Sequence, residues 1–210
     1  MKRRDFLKTT VMLGCLAGVP MLGIAAETDP FQWVLQMSNK VLDEIKSNEA
    51  LRSGDIPEIK KLVDSTIMPN VDFTMVTRMT VGPEWRQASP EQRQQLMDNF
   101  RELLIRVYAG ALSKVNGHVA ELVPVRNNKV SDEMVIRTTL KAPGQQPIAM
   151  DYRIYRDKAG DWKIVDVNVE GIWMVENYRS QFASVLSQSG IDGLISELKK
   201  RIDNEKGSAS

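Results

Sequence analysis

The sequence predicts an α+β fold: a helical N-terminal half, a curved four-stranded antiparallel sheet, and C-terminal helices that enclose an apolar pocket in a cone-like arrangement. Three observations carry this. Helix-period apolar stripes with matching caps occupy residues 29–112. Four runs with period-two alternation follow between residues 119 and 169, joined by short turns. The helical period then returns at Ile172.

The first 26 residues stand outside this pattern. Lys2, Arg3, Arg4 and Lys8 form a charged start, and Val11 to Ile24 is apolar but interrupted by Gly14, Gly18 and Pro20. Small residues Ala25-Ala26 close it, so residues 1–26 read as a secretory signal cut beside Ala26. The apolar run is short and broken for a transmembrane helix. Arg3-Arg4-Asp5-Phe6-Leu7-Lys8 resembles a twin-arginine export signal, with Lys2 where that motif usually has Ser or Thr; a general secretory signal is the alternative. Leu13-Gly14-Cys15 hints at a lipoprotein cut, but too little apolar sequence precedes Cys15. Residues 27–204 suit one domain, and the polar stretch 205–210 reads as a disordered tail.

The whole chain holds 28 Lys and Arg against 27 Asp and Glu. Removing the leader takes away Lys2, Arg3, Arg4, Lys8 and Asp5, which leaves a slightly acidic protein with no broad electrostatic case for nucleic acid or anionic membrane. The single cysteine, Cys15, leaves with the leader, so packing alone must stabilise the fold in an oxidising compartment.

Asp29 before Pro30 is an N-cap with proline at the first helical position. Phe31, Val34, Leu35, Val41, Leu42 and Ile45 keep a helical period to about Ala50. Asp55 caps a second helix through Ile59, Leu62, Val63 and Ile67, broken at Met68-Pro69-Asn70. Val71 to Met79, with Phe73, reads as a short third helix ended by Gly82-Pro83. Ser89-Pro90-Glu91-Gln92 is a capping box, and the stripe Leu96/Met97, Phe100, Leu103/Leu104, Val107/Tyr108, Ala111/Leu112 follows it for about 23 residues, or roughly 34 Å. Its outer face carries Glu91, Arg93, Gln94, Asp98, Arg101, Glu102 and Arg106. A stripe this long serves as core and can also wall an elongated cavity; Phe100, Leu104 and Tyr108 are the candidates, with Phe73.

Val119 to Val125 is the first strand, and Asn127-Asn128 marks a turn. Met134, Ile136, Thr138 and Leu140 alternate with Val135, Arg137, Thr139 and Lys141; Ile148, Met150, Tyr152 and Ile154 alternate with Ala149, Asp151, Arg153 and Tyr155. In the fourth strand, Trp162 to Val169, the faces read as Val165, Val167 and Val169 against Asp166 and Asn168. An antiparallel meander with one buried face follows. Candidate cavity residues on that face are Met134, Ile136, Met150, Tyr152, Ile154, Val165, Val167 and Val169. Glu170-Gly171 then turns the chain into a helix from Ile172, whose Trp173, Tyr178 and Phe182 are read as the helix side of the same cavity. Gly190 to Leu198, with Ile202, closes as an amphipathic helix. Methionine is plentiful along these patterns (Met68, Met75, Met79, Met97, Met134, Met150, Met174) and suits adaptable apolar surfaces.

Reactive constellations are scarce. His118, the one histidine, reads as a solvated loop residue, and no cysteine or second histidine joins it for a metal. No Gly-x-Ser-x-Gly or glycine-rich phosphate loop occurs. A pocketed enzyme could recruit Tyr108, Tyr152, Asp151 and Asp166, yet Asp151 and Asp166 fall on faces opposite the apolar sets. The reading is that the protein is not an enzyme, with no cofactor, metal or catalytic residue.

Several stretches resemble one family in one order. Upstream lie Val71-Asp72-Phe73, Val81-Gly82-x-x-Trp85-Arg86, Ser89-Pro90-Glu91-Gln92 and Tyr108-Ala109-x-Ala111-Leu112. Tyr152-Arg153 and Trp162-Lys163 through Asp166 follow, then Val169-Glu170-Gly171-Ile172. Val175-x-Asn177-Tyr178-Arg179-x-Gln181-Phe182 and Gly190-Ile191-Asp192-Gly193-Leu194-Ile195 complete the set. Together they resemble MlaC, the periplasmic phospholipid shuttles of the Mla pathway, also known as toluene-tolerance auxiliary proteins. The resemblance runs from about Val71 to Arg201. The family usually has a small residue, often Ser, where this chain has Trp173, so Trp173 would narrow the cavity or touch the ligand if it faced inward.

The resemblance implies a monomeric carrier of glycerophospholipid in the periplasm of a Gram-negative bacterium. It would move lipid between an outer-membrane lipoprotein and porin complex and an inner-membrane ABC transporter complex with an MCE-domain subunit, maintaining outer-membrane asymmetry. Arg137, Arg153 and Arg179 are then candidates for the headgroup phosphate. A pocketed enzyme and a lipid-free periplasmic adaptor are the alternatives.

Overall fold

The computed structural model describes residues 29–125 and 129–208. The leader read at 1–26 and the turn read at Asn127-Asn128 lie outside the described residues.

Helix α1 (Pro30–Ser47) starts where Asp29 accepts the Phe31 N–H at 3.0 Å, with proline at the first helical position. It stops three residues before the expected Ala50, because Asn48 turns extended and caps a separate short helix, α2 (Glu49–Arg52), by accepting the Ala50 N–H at 3.0 Å. Asp55 caps α3 (Ile56–Leu62), accepting the Glu58 N–H at 2.9 Å. That helix widens into a π-type turn, Val63–Ile67, and a 3₁₀ turn, Met68–Asn70. Asp72 caps α4 (Phe73–Val81) through the Met75 N–H, and its second carboxylate oxygen accepts the Tyr155 hydroxyl at 2.6 Å. The capping box forms as expected: Ser89 Oγ accepts the Gln92 N–H and Gln92 Oε1 accepts the Ser89 N–H, opening α5 (Pro90–Ala109).

Strands β1 (Val119–Leu122), β2 (Glu133–Lys141), β3 (Ile148–Arg156), β4 (Trp162–Val169) and β5 (Ile172–Trp173) form one antiparallel sheet in sequence order. The fifth strand replaces the expected start of a helix. Glu170 (φ 52°) and Gly171 (φ 89°) both take positive φ, as a tight two-residue hairpin requires, and Asn168 Oδ1 accepts the Gly171 N–H at 2.9 Å. Val169 therefore pairs with Ile172, and the helix begins only at Met174.

A bulge corrects the face assignment in β4. Ile154 pairs with Ile164, but the next pair is Arg153 with Asp166, so Val165 is the extra residue. Ile164 and Val167 therefore share the face with Tyr152 and Ile154, and Val165 is displaced from it. Val71 bridges Ile164 in parallel, clipping the chain before α4 onto the sheet.

Helix α6 (Met174–Ser208) is kinked at Gly190 (φ 62°, ψ −161°), where the sequence places the start of a separate closing helix. Gly193 fits this kink because a Cβ there would lie 2.1 Å from that of Ser189. The helix runs beyond residue 204, so the expected tail is helical through Ser208. His118 corrects another expectation: it is 4 % exposed, not solvated, and neither ring nitrogen meets a protein partner.

Three cores result. Phe100, Tyr178, Phe182, Leu194 and Leu198 anchor one between α4, α5 and α6. Val34, Ile136, Ile154, Trp162 and Ile164 join α1 to the sheet. Ile45, Leu51, Ile59, Leu62 and Ile105 join the first three helices to α5. Among the described residues no helix is long and apolar enough to cross a membrane.

Candidate functional site

Two apolar cavities, each of about 250 Å³, open where these cores meet. The first lies between α3, the π-type turn, α4, α5 and β4, lined among others by Ile59, Leu62, Phe73, Leu104, Ile105, Tyr108 and Met174. The second lies between α1 and the sheet, lined by Met37, Leu42, Leu140, Met150 and Tyr152. Val41, Ile67, Val71, Ile164 and Val167 line both. These five residues form the shared wall, so the two spaces are neighbours, and together they reach the roughly 300–1,000 Å³ typical of small-ligand sites.

Local structure explains the wall. The π-type turn ends at Ile67, one of the five. The bridge between Val71 and Ile164 sets those two side by side. The bulge at Val165 brings Ile164 and Val167, rather than Val165, onto the cavity side. Met37, Met68, Met150 and Met174 supply soft side chains to the lining.

Ser38, Tyr152 and Asp166 at the lining are engaged, whereas the buried Arg101 Nε–H meets no acceptor. The Ser38 hydroxyl donates to the Tyr152 hydroxyl at 2.9 Å, which donates to the Met150 sulfur at 3.2 Å. Burial pushes the Tyr152 phenol up to about 12, with the Ser38 contact opposing. Asp166, 2 % exposed, accepts the Val175 and Val167 N–H groups and faces Arg153 at 3.6 Å. Burial raises its pKa, partly offset by those hydrogen bonds and by Arg153. Among the described residues no group of His, Cys, Asp and Glu could hold a metal ion.

Of the sequence candidates, Phe73, Leu104, Tyr108, Met150, Tyr152 and Val167 line one or both cavities. Met134, Ile136 and Ile154 share the cavity face of the sheet but pack in the α1 core. Val165 and Val169 line neither cavity: the bulge displaces Val165, and Val169 is 42 % exposed beside the hairpin. The expected helix side is also corrected. Tyr178 and Phe182 each meet Phe100 edge-to-face, at 5.0 and 5.5 Å, in the three-helix core, where Phe73 reaches Phe100 at 5.8 Å. Burial raises the Tyr178 phenol strongly.

Trp173 faces a separate groove of about 930 Å³ with Arg78, Trp85, Arg86, Arg153 and Arg179. The Arg153 guanidinium lies 4.6 Å over the Trp173 ring. Asp166 lines both this groove and the first cavity, so Arg153 and Arg179 stand behind it rather than in the cavity. Arg137 is exposed on the opposite sheet face, in register with Asp151. Sequence reasoning missed Arg101, assigned to the solvated face of α5 but lining the first cavity. Its spacing of three, four and seven residues from Leu104, Ile105 and Tyr108 is the helical signal that places it there.

The comparisons agree with this architecture. A phospholipid-binding protein from Ralstonia solanacearum, solved in complex with a phospholipid, superposes with a TM-score of 0.80 at 38 % identity, covering 85 % of this chain and 99 % of that one. The Haemophilus influenzae intermembrane phospholipid transport system binding protein MlaC is 25 % identical over 177 residues, 83 % of each chain. The toluene tolerance protein ttg2D of Pseudomonas putida is 26 % identical over 198 residues, 93 % of this chain and 88 % of that one. The MlaC protein family matches residues 35–200, most of the sequence, and the chain belongs to that family.

Proposed function

We propose that the protein is a periplasmic carrier of glycerophospholipid, whose acyl chains occupy the paired cavities. It shuttles lipid between an outer-membrane lipoprotein and porin complex and an inner-membrane ABC transporter complex with an MCE-domain subunit, maintaining outer-membrane lipid asymmetry. It works as a monomer, with lipid as cargo and no cofactor, and it makes or breaks no covalent bond.

The observation that carries this reading is the apolar space divided by Val41, Ile67, Val71, Ile164 and Val167. Two acyl chains hold on the order of 30 methylenes, and at ~0.8 kcal/mol each their exposure costs ~20–25 kcal/mol. A surface patch cannot offset that cost, whereas an enclosed apolar cavity can. Release must therefore occur while the protein is docked to a partner that keeps the tails dry.

The test is mass spectrometry of organic extracts from protein purified without detergent. Diacyl phospholipid in near-stoichiometric amount is expected. Lipid-free protein that also takes up nothing from liposomes would sink the reading.

A further inference from the structure

We propose that Arg101 is the residue that binds the lipid phosphate, through its Nε–H; this rests on the phospholipid-carrier reading. Among the described residues, Arg101 is the only cationic residue lining either cavity. It projects from the same face of α5 as Leu104, Ile105 and Tyr108, so a phosphate at Arg101 leaves the acyl chains to run along an apolar wall.

Its Nε–H is buried and meets no acceptor from the protein, while one terminal nitrogen pairs with Asp64. An unmatched buried donor on a charged group is costly, and such a group in a cavity wall points to an acceptor brought by a ligand. The Asp64 contact engages a terminal nitrogen of the planar fork and leaves the Nε–H for a separate acceptor. Arg101 also meets the placement a phosphate needs. The phosphate cannot enter the apolar interior unpaired, so it must stop where the lining carries positive charge and reaches water. The Arg101 side chain is 30 % exposed, and Tyr108 beyond it is 44 % exposed. Among the described residues no other arginine combines these features: Arg153 is engaged by Asp166 and Trp173, and Arg179 borders the separate groove.

The test compares two lipids with the same acyl chains, phosphatidylglycerol and diacylglycerol, which differ in the phosphate-bearing headgroup. The full mature protein is loaded from vesicles, and transfer of each lipid to acceptor vesicles is timed. Arg101→Met should release phosphatidylglycerol about tenfold faster or more while diacylglycerol leaves at the wild-type rate. Arg101→Lys, which keeps charge but loses the Nε donor, should fall between. Asp64→Asn, which breaks the ion pair but keeps the donor, should hold phosphatidylglycerol far better than Arg101→Met.

Equal acceleration for both lipids, or none for either, overturns the role of Arg101 and leaves the carrier reading intact. If Arg101→Met does not fold, Arg101→Lys decides: a selective loss of phosphatidylglycerol supports the proposal, and an unchanged ratio between the lipids overturns it. A wild-type protein that holds no phospholipid at all overturns both readings.

Discussion

Asp166 Oδ1 accepts the backbone N–H of Val175 at 3.0 Å, so a strand residue caps the start of the long C-terminal helix. The same carboxylate lines both the first cavity and the arginine-rich groove behind it. The wall between these spaces is therefore also the joint between sheet and helix. Replacing Asp166 by Ala should cost ~1–3 kcal/mol in urea unfolding, since it removes a cap and leaves Arg153 without its partner. Asp166→Asn keeps an acceptor and should lose clearly less; equal losses would contradict the capping role.

Val167 touches both cavities, which makes it the position to fill. Val167→Trp should remove most of the co-purifying phospholipid while overpacking costs ~1–3 kcal/mol of stability. Far-ultraviolet circular dichroism and lipid analysis of the same sample check this. Undiminished lipid content in a folded variant would show that the cargo lies elsewhere.

Phe182 packs on Phe100 in the three-helix core, away from the cavities. Phe182→Ala should cost ~3–5 kcal/mol by denaturant titration, yet the folded fraction should keep its lipid per molecule. Loss of lipid without loss of stability would reverse the assignment.

Trp173 faces the groove and lines neither cavity. Trp173→Ser should leave lipid retention unchanged and lower stability modestly, by ~0.5–2 kcal/mol for the lost stacking on Arg153. A change in the bound lipid profile would place Trp173 at the ligand.

Tyr152 gives a pH signature. Its folded-state pKa is raised to about 12 by burial, so the folded protein holds this proton more tightly than the unfolded chain. The stability it contributes is present below its unfolded pKa of about 10 and is lost as pH rises from there through about 12. Unfolding free energy should fall across that window, and Tyr152→Phe should flatten the slope. Tyr155 is also raised to about 12, chiefly by its hydrogen bond to Asp72, so the slope should flatten without vanishing. Denaturant titrations at stepped alkaline pH measure both slopes.

Capping chemistry made most helix starts legible. Asp29, Asp55 and Ser89 each accept from the first helical turn they precede, whereas Asp72 caps α4 from inside the stretch that reads as helix from Val71. Alternation made β2 and β3 legible for the same local reason: side chains two apart share a face whatever the partner strand is. Local pattern failed where long-range pairing decided. Ile172 and Trp173 continue a helical apolar pattern but pair with Val169 and Asn168 instead. The charge of Arg101 suggests a solvated face while its helical phase sets it at the cavity, and the loop residue His118 is buried by packing that no local pattern encodes.

The sequence by itself determined the class of fold, the order of elements and the caps that bound them, and it carried enough ordered motifs to resemble one family. Tertiary structure alone decided which apolar residues enclose space and which fill it. The bulge at Val165 turned Ile164 and Val167 toward the cavities, and the packing of α6 on α5 drew Tyr178 and Phe182 into a separate core. The physical reason is that hydrophobicity and spacing specify burial, whereas a cavity is the volume that several buried surfaces together leave unfilled, and no single stretch of chain encodes it.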